Sequence, residues 1–146
     1  MSNSRVSDLW WKWLVVMCAA TVFFSLALIF LPVLSKESFS ALYLGSADAY
    51  LAFSETGVRY VLFIQGVLGA VMVGWMLSMI AIIMGPFRRG EFWSWKAIAG
   101  SLVLWFLLDS GYSIASGFWQ NAILNLTLLV GFAVPLAASF RQFRVS

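Results

Sequence analysis

The sequence has no histidine and only one cysteine, and these two scarcities exclude several kinds of site. A lone cysteine, Cys18, excludes an intrachain disulfide and a Cys-x-x-Cys redox pair. Without histidine the chain offers no imidazole ligand for haem, zinc or copper, and no histidine base for a serine nucleophile. We therefore expect no metal and no cofactor, and we do not expect an enzyme.

Charge is also scarce, because 10% of the 146 residues are charged while 62% are hydrophobic. Such a chain is too apolar to keep its surface in water and must be solvated by membrane lipid. The net charge of +3 comes from basic residues spread along the chain. They form no tract of the kind that a polyanion needs, so we do not expect nucleic acid as a partner.

The apolar runs predict an all-α integral membrane protein with four transmembrane helices in an antiparallel up-down bundle, forming one domain over residues 1–146. At about 20 residues per crossing, the spans fall at residues 11–34, 57–84, 97–115 and 118–140. The first run has an apolar core of about 20 residues, longer than that of a cleaved signal peptide, so we expect a retained span.

The segments between the spans are predicted as loops and turns. Residues 35–56 read as a long loop, within which Asp48 to Phe53 could form a turn or two of interfacial helix. Gly85-Pro86 is expected to end the second span, because proline lacks the backbone donor that a helix needs. Ser116-Gly117 is the expected turn between the last two spans.

The basic residues predict the orientation in the membrane. Seven of them fall on one side of the predicted helices and two on the other, the two being Lys36 and Arg59; the seven are Arg5, Lys12, Arg88, Arg89, Lys96, Arg141 and Arg144. Basic residues accumulate on the cytoplasmic side, so both termini are predicted to be cytoplasmic. Arg88, Arg89 and Lys96 read as this orientation signal at the cytoplasmic interface, with an anionic-lipid site as the alternative.

Small residues recur at every fourth position of the second span, at Gly66, Ala70, Gly74 and Ser78. That spacing places them on one helix face, where small side chains let another helix approach closely in lipid. We expect an internal helix contact, with a second copy of the chain as the alternative.

Polar residues interrupt the last two spans at positions related by the predicted turn. If the turn is centred on Gly117, Asp109 and Asn125 lie at one depth, about 12 Å from the end of the hairpin. Ser113 and Asn121 lie at a second level, about 6 Å from the same end. A carboxylate in lipid is costly and usually faces the protein interior, so these four side chains are expected to lie together.

Three further residues could join this zone from the first two spans: Gln65, Ser25 and Arg59, with Arg59 as the expected counter-ion of Asp109. Three interpretations stay open. The polar groups could form hydrogen bonds that hold the helices together, line a pocket open to the outer face, or take part in a proton relay.

Three segments carry a resemblance: Gly85-Pro-Phe-Arg-Arg-Gly-Glu-Phe-Trp-Ser-Trp-Lys96, then Trp105-Phe-x-x-Asp109-Ser-Gly-x-Ser113-x-x-x-Gly117, then Asn121-Ala-x-x-Asn125. With them the chain resembles a group of small bacterial four-helix membrane proteins of unassigned function. It is more remotely similar to DoxX-like proteins in size and topology. The resemblance implies four membrane helices in a bacterial inner membrane and brings no active residues with it.

Two functions remain in competition. The first is a non-enzymatic accessory subunit that associates with a larger membrane complex or with a second copy of itself, surrounded by membrane lipid. The second is a carrier or sensor that binds a lipid, quinone or other amphiphile in a polar pocket around Asp109.

Overall fold

The computed structural model describes residues 6–143, which are helical with short connections. Two residues behind the topology prediction, Arg5 and Arg144, lie outside this described part. The five α-helices are α1 (Asp8–Phe30), α2 (Pro32–Leu44), α3 (Glu55–Ile82), α4 (Phe92–Ala115) and α5 (Trp119–Phe143).

Four of these helices, all but α2, are long and apolar enough to cross a membrane. Only 22% to 28% of the residues in each apolar segment are buried within the protein. Most of the apolar surface therefore faces outward, which in a multi-pass membrane protein means lipid or another protein. Over residues 6–143 the prediction of an all-α chain is confirmed, with four helices long and apolar enough to span a membrane.

The first predicted span is too long, and the loop predicted after it is partly helix. Helix α1 ends at Phe30, and Pro32 begins α2. Proline lacks a backbone N–H and disfavours helical geometry in the residue before it, so the chain breaks at Leu31, with φ −120° and ψ 60°. Helix α2 then runs to Leu44 and ends on Gly45, whose φ is +83°.

The helical turn predicted within residues 48–53 is confirmed as a short 3₁₀ helix, Ala49–Ala52. Ser40 holds it against α2: its hydroxyl donates to the Ser46 carbonyl at 2.8 Å and accepts from the Tyr50 amide at 3.0 Å.

The second span does not stop at Gly85-Pro86 as predicted. After α3 the chain continues as a π-helix, Ile83–Phe87, with Pro86 inside it. The wider turn accommodates the proline, and the Arg88 amide donates to the Ile83 carbonyl at 3.1 Å. The helical path ends at Gly90, whose φ is +79°. Because α4 begins at Phe92, the predicted linker of residues 85–96 shrinks to four residues, 88–91.

The chain divides into two compact units. The first, the hairpin unit, comprises Met1–Ala19 and Leu77–Ser146. The second, the α2 unit, comprises Ala20–Met76. The single domain over residues 1–146 stays a prediction.

In the hairpin unit, α4 and α5 pack in antiparallel fashion over aromatic and aliphatic side chains. The Trp95 ring centre lies 4.8 Å from that of Phe140, and its indole N–H donates to the Leu136 carbonyl at 2.9 Å. Toward the middle of the helices the buried residues are Ile98, Leu102 and Phe132. These contacts set the register that carries the polar residues nearer the turn.

Helix α1 joins the hairpin unit through a proline-dependent hydrogen bond. Pro135 lies inside α5 and has no N–H, so the carbonyl of Gly131, four residues earlier, lacks its helical donor. The indole Nε1 of Trp13 donates to that carbonyl at 3.1 Å. An orphaned backbone acceptor is costly in lipid, and Trp13 removes that cost while fixing α1 beside α5.

In the α2 unit, the closest helix contact is at Gly69. A Cβ added at Gly69 would lie 2.6 Å from the Ser25 backbone oxygen and 3.0 Å from Cγ1 of Ile29. Only glycine permits this approach, because the obstructing atom belongs to the backbone and cannot move aside cheaply. Farther along the unit, the Ser35 hydroxyl donates to Oε1 of Gln65 at 2.8 Å.

At Gly66 and Gly74 the small-residue face makes no such close contact, and the internal packing expected for that face stays a prediction. Ala70, Gly74 and Ser78 are exposed and Gly66 is half-buried. A Cβ added at Gly66 or Gly74 would meet no heavy atom within 4 Å. The four-residue spacing identified a face of α3 correctly, but the helix is rotated so that Gly69, outside that face, makes the close contact.

This packing generates a stability prediction for Gly69→Ala. The added methyl must push apart α1 and α3, so we expect a loss of about 1–3 kcal/mol in the free energy of unfolding. Gly66→Ala is the matched control, since it adds the same methyl to open space and should be neutral or stabilising by up to about 1 kcal/mol. Unfolding in mixed detergent micelles, followed by circular dichroism, measures both. Equal stability of the two variants would contradict the assignment of Gly69 as the contact.

Candidate functional site

The turn between α4 and α5 places the polar residues of the two helices opposite one another. Gly117 adopts φ +85°, a conformation that glycine takes without steric cost. The Phe118 amide donates to the Ser113 carbonyl at 2.8 Å, which closes the end of α4. The predicted turn at Ser116-Gly117 is confirmed, and the hairpin register follows from it.

Five side chains form the polar hairpin cluster: Asp109, Ser110, Ser113, Asn121 and Asn125. In its upper half, the Asn121 amide donates to Oδ1 of Asp109 at 3.0 Å and to the Ser113 hydroxyl at 2.8 Å. The Ser113 hydroxyl donates to the same carboxylate oxygen at 3.3 Å. Asn121 thus uses its amide nitrogen to bridge two residues one helical turn apart on α4.

The lower half of the cluster joins Asn125 to Ser110. The Asn125 amide nitrogen donates to the Ser110 hydroxyl at 3.3 Å, and both residues are buried. Depth alone placed Asn125 level with Asp109, whereas its bonded partner is the neighbouring residue. The sequence analysis missed Ser110. Ser110 and Asn125 lie nearly the same number of residues from Gly117, so the same depth argument could have placed them together.

The Asp109 carboxylate is only half satisfied. Oδ1 accepts both hydrogen bonds, and no donor among residues 6–143 is bonded to Oδ2. Among residues 6–143, the buried side-chain atom that lacks a hydrogen-bond partner is Oε1 of Gln120. Oδ2 of Asp109 also lacks a partner but is not such a buried atom, so it is not fully enclosed. Asp109 therefore presents one accessible acceptor oxygen beside a hydrogen-bonded one.

The three residues expected from the first two spans lie in the α2 unit, each with a partner there. Gln65 accepts from Ser35, and the Ser25 hydroxyl donates to the Thr21 carbonyl of its own helix at 2.7 Å. Arg59 lies 3.7 Å from the Glu55 carboxylate, and both side chains are exposed. The structure thus gives Arg59 a carboxylate one turn away on α3, while Asp109 receives its hydrogen bonds from the hairpin.

The residues predicted at the cytoplasmic interface form a basic and aromatic layer in the hairpin unit. Arg88 lies over the Trp11 ring, 4.8 Å from its centre, and Lys96 lies over Phe92 at 4.7 Å. Arg89 donates to the Glu91 carboxylate at 2.7 Å. This hydrogen bond, with a second from the Trp93 indole, holds the pKa of Glu91 below its usual value.

No protein-family model, curated protein or solved structure matches the chain. The similarity to small bacterial four-helix membrane proteins and to DoxX-like proteins stays a prediction. Within residues 6–143 no three His, Cys, Asp or Glu side chains are grouped so that they could hold a metal ion.

The geometry predicts that Asp109 and Asn121 are energetically coupled. In a double-mutant cycle of Asp109→Ala with Asn121→Ala, we expect a coupling of about 0.6–1.7 kcal/mol, the scale of hydrogen bonds between membrane helices. Unfolding free energies in micelles measure it. Thr127 supplies the control, because it is exposed and its hydroxyl donates within its own helix, to the Ile123 carbonyl. Asp109→Ala with Thr127→Ala should be additive, and additivity in both cycles would contradict the bridge.

Proposed function

We propose that the protein is a non-enzymatic, multi-pass membrane protein that acts by association, as an accessory subunit of a membrane complex. The observation that carries this proposal is the outward-facing small-residue face of α3 (Gly66, Ala70, Gly74 and Ser78). Ala70, Gly74 and Ser78 are exposed, and space for a Cβ is open at Gly66 and Gly74. In lipid, helices associate through such faces because backbones can approach closely and gain dispersion contacts.

Two further properties support association over chemistry. Less than a third of each apolar segment is buried within the protein, which leaves a large apolar surface for partners as well as lipid. The composition supplies no histidine, and the single cysteine, Cys18, is buried. Among the polar residues that remain, Asp109, Ser110 and Ser113 are hydrogen-bonded to asparagines of the neighbouring helix.

Association predicts that Gly74→Leu separates the protein from its partner without unfolding it. Leucine would hold the neighbouring helix away from the α3 backbone. Gly100→Leu is the matched control, because Gly100 is an exposed glycine of α4 with open space at its Cβ. Native membranes solubilised in polymer nanodiscs give the particle size by native electrophoresis.

Wild type and Gly100→Leu should migrate in an assembly larger than the 16.3 kDa chain, and Gly74→Leu as the chain alone. Helical content and thermal stability should match in all three. A wild-type protein that migrates as a single chain would contradict the proposal.

We also propose that both termini and the segment of residues 88–91 face the cytoplasm of a bacterial inner membrane, supported by the distribution of basic residues. Cysteine labelling of intact cells tests this in a Cys18→Ala background. Ser46→Cys should react with an impermeant maleimide, and Trp93→Cys, whose parent side chain is 55% exposed, should react only after lysis. The reverse pattern would invert the topology.

A second candidate function rests on the accessible Oδ2 of Asp109. A carboxylate oxygen accepts hydrogen bonds, so it suits an amphiphile whose head group donates them, such as an ammonium or a hydroxyl. Here the polar hairpin cluster would hold the head group while the apolar helix surfaces contact the tail.

Mass spectrometry of the lipids that co-purify in mild detergent tests this candidate. Asp109→Ala should lose a donor-bearing amphiphile that wild type and Thr127→Ala retain. An unchanged set of lipids would contradict this candidate and would mean that the cluster only holds α4 and α5 together.

A further inference from the structure

The end of the hairpin unit remote from the Gly117 turn carries a fixed aromatic cluster of Phe92, Trp95 and Phe140. The ring centre of Phe140 lies 6.0 Å from that of Phe92 and 4.8 Å from that of Trp95. Trp95 is held in place because its indole N–H donates to the Leu136 carbonyl. Aromatic side chains of this kind concentrate at the level of the lipid head groups.

Two exposed cations, Lys96 and Arg141, directly follow residues of this aromatic cluster in the sequence. Lys96 places its ammonium 4.7 Å from the centre of the Phe92 ring, and Arg141 directly follows Phe140 in the last turn of α5. The ion pairs within residues 6–143 are Lys12 with Asp8, Arg59 with Glu55, and Arg89 with Glu91. Lys96 and Arg141 thus lie at the membrane end without a carboxylate partner in the described part of the chain.

The two acidic residues at this end are already engaged. Asp8 accepts from Lys12 at 2.9 Å and from the Trp11 indole at 3.0 Å. Glu91 accepts from Arg89 at 2.7 Å and from the Trp93 indole at 2.8 Å. Glu91 is therefore the carboxylate partner of Arg89, and these two hydrogen bonds hold the pKa of Glu91 below its usual value. Among the cations at this end, Lys12 and Arg89 have a carboxylate partner and Arg88 lies over the Trp11 ring, whereas Lys96 and Arg141 are exposed.

We propose that Lys96 and Arg141 bind the phosphate of an anionic phospholipid at this end of the α4–α5 hairpin. Lys96 follows Trp95 and Arg141 follows Phe140, two rings in contact that belong at the head-group level, where a phosphodiester lies within reach of exposed side chains. The guanidinium of Arg141 can donate two parallel hydrogen bonds to phosphate oxygens, and the ammonium of Lys96 adds a point charge. The partner is membrane lipid with net negative charge, so a zwitterionic head group should bind less well.

Native mass spectrometry of the full chain in detergent, titrated with phosphatidylglycerol or phosphatidylcholine, tests the proposal. Wild type should retain phosphatidylglycerol over phosphatidylcholine. The double variant Lys96→Gln/Arg141→Gln should bind phosphatidylglycerol about 10- to 30-fold more weakly, because each basic residue near an anionic surface contributes about a fivefold factor. Both side chains are exposed, so its thermal stability without added lipid should match that of wild type.

The matched control is Lys36→Gln/Arg59→Gln, which removes the same charge from the α2 unit and should bind phosphatidylglycerol as wild type does. Equal weakening of phosphatidylglycerol binding in the two double variants would overturn the proposed site, because the net charge of the protein would then account for the binding. Unchanged binding in Lys96→Gln/Arg141→Gln would overturn it as well. Displacement of the lipid by millimolar inorganic phosphate would replace it with a site for free anions.

Discussion

A polar group within the hydrocarbon of a membrane must find its partner inside the protein, because no water is present to supply one. Much of this structure follows from that constraint. Pro135 removes a donor from α5, and the indole of Trp13 supplies another to the Gly131 carbonyl. Pro86 also lacks a donor, and the end of α3 accommodates it in a π-helical turn, in which the Ile83 carbonyl accepts from the Arg88 amide five residues on. One solution joins two helices and the other reshapes one helix locally.

The same constraint organises the side chains of the polar hairpin cluster. Asn121 and Asn125 each direct an amide across to α4, so the hairpin has two polar fastenings at different depths. Each such bond stabilises a membrane protein by only about 0.6 kcal/mol on average, so their main effect is to select one register. The carboxylate of Asp109 has more acceptor capacity than these hydrogen bonds use, since one of its oxygens remains accessible. That surplus acceptor is the observation on which the proposal of an amphiphile ligand rests.

Glycine serves two different purposes on α3. At Gly69 the missing side chain lets α1 approach until the Ser25 carbonyl lies where a Cβ would stand. At Gly66 and Gly74 the missing side chain leaves open space on the outer surface. A gap of this kind lowers dispersion contact unless lipid or another helix fills it, and a helix with a matching surface fills it better than a mobile lipid tail. The two arrangements are therefore consistent with one helix that packs internally on one side and associates on another.

The residue order by itself determined the number of spans, since a run of about 20 apolar residues has few alternatives to a membrane helix. It also determined the register of the α4–α5 hairpin to within one residue, because the position of Gly117 relates depth on one helix to depth on the other. Helix α2 escaped prediction, since its mixture of apolar and small polar residues lacks the long apolar run that identified the spans.

Only the tertiary structure decided which way each helix is rotated. In a water-soluble protein the buried face of a helix is apolar and the exposed face polar, so the pattern reveals both. In lipid both faces are apolar, and that contrast disappears. The sequence therefore located the small-residue face of α3 but not its direction, and it could not distinguish Gly69 from Gly74. Contacts between helices, which depend on the shapes of residues far apart in the chain, made that choice.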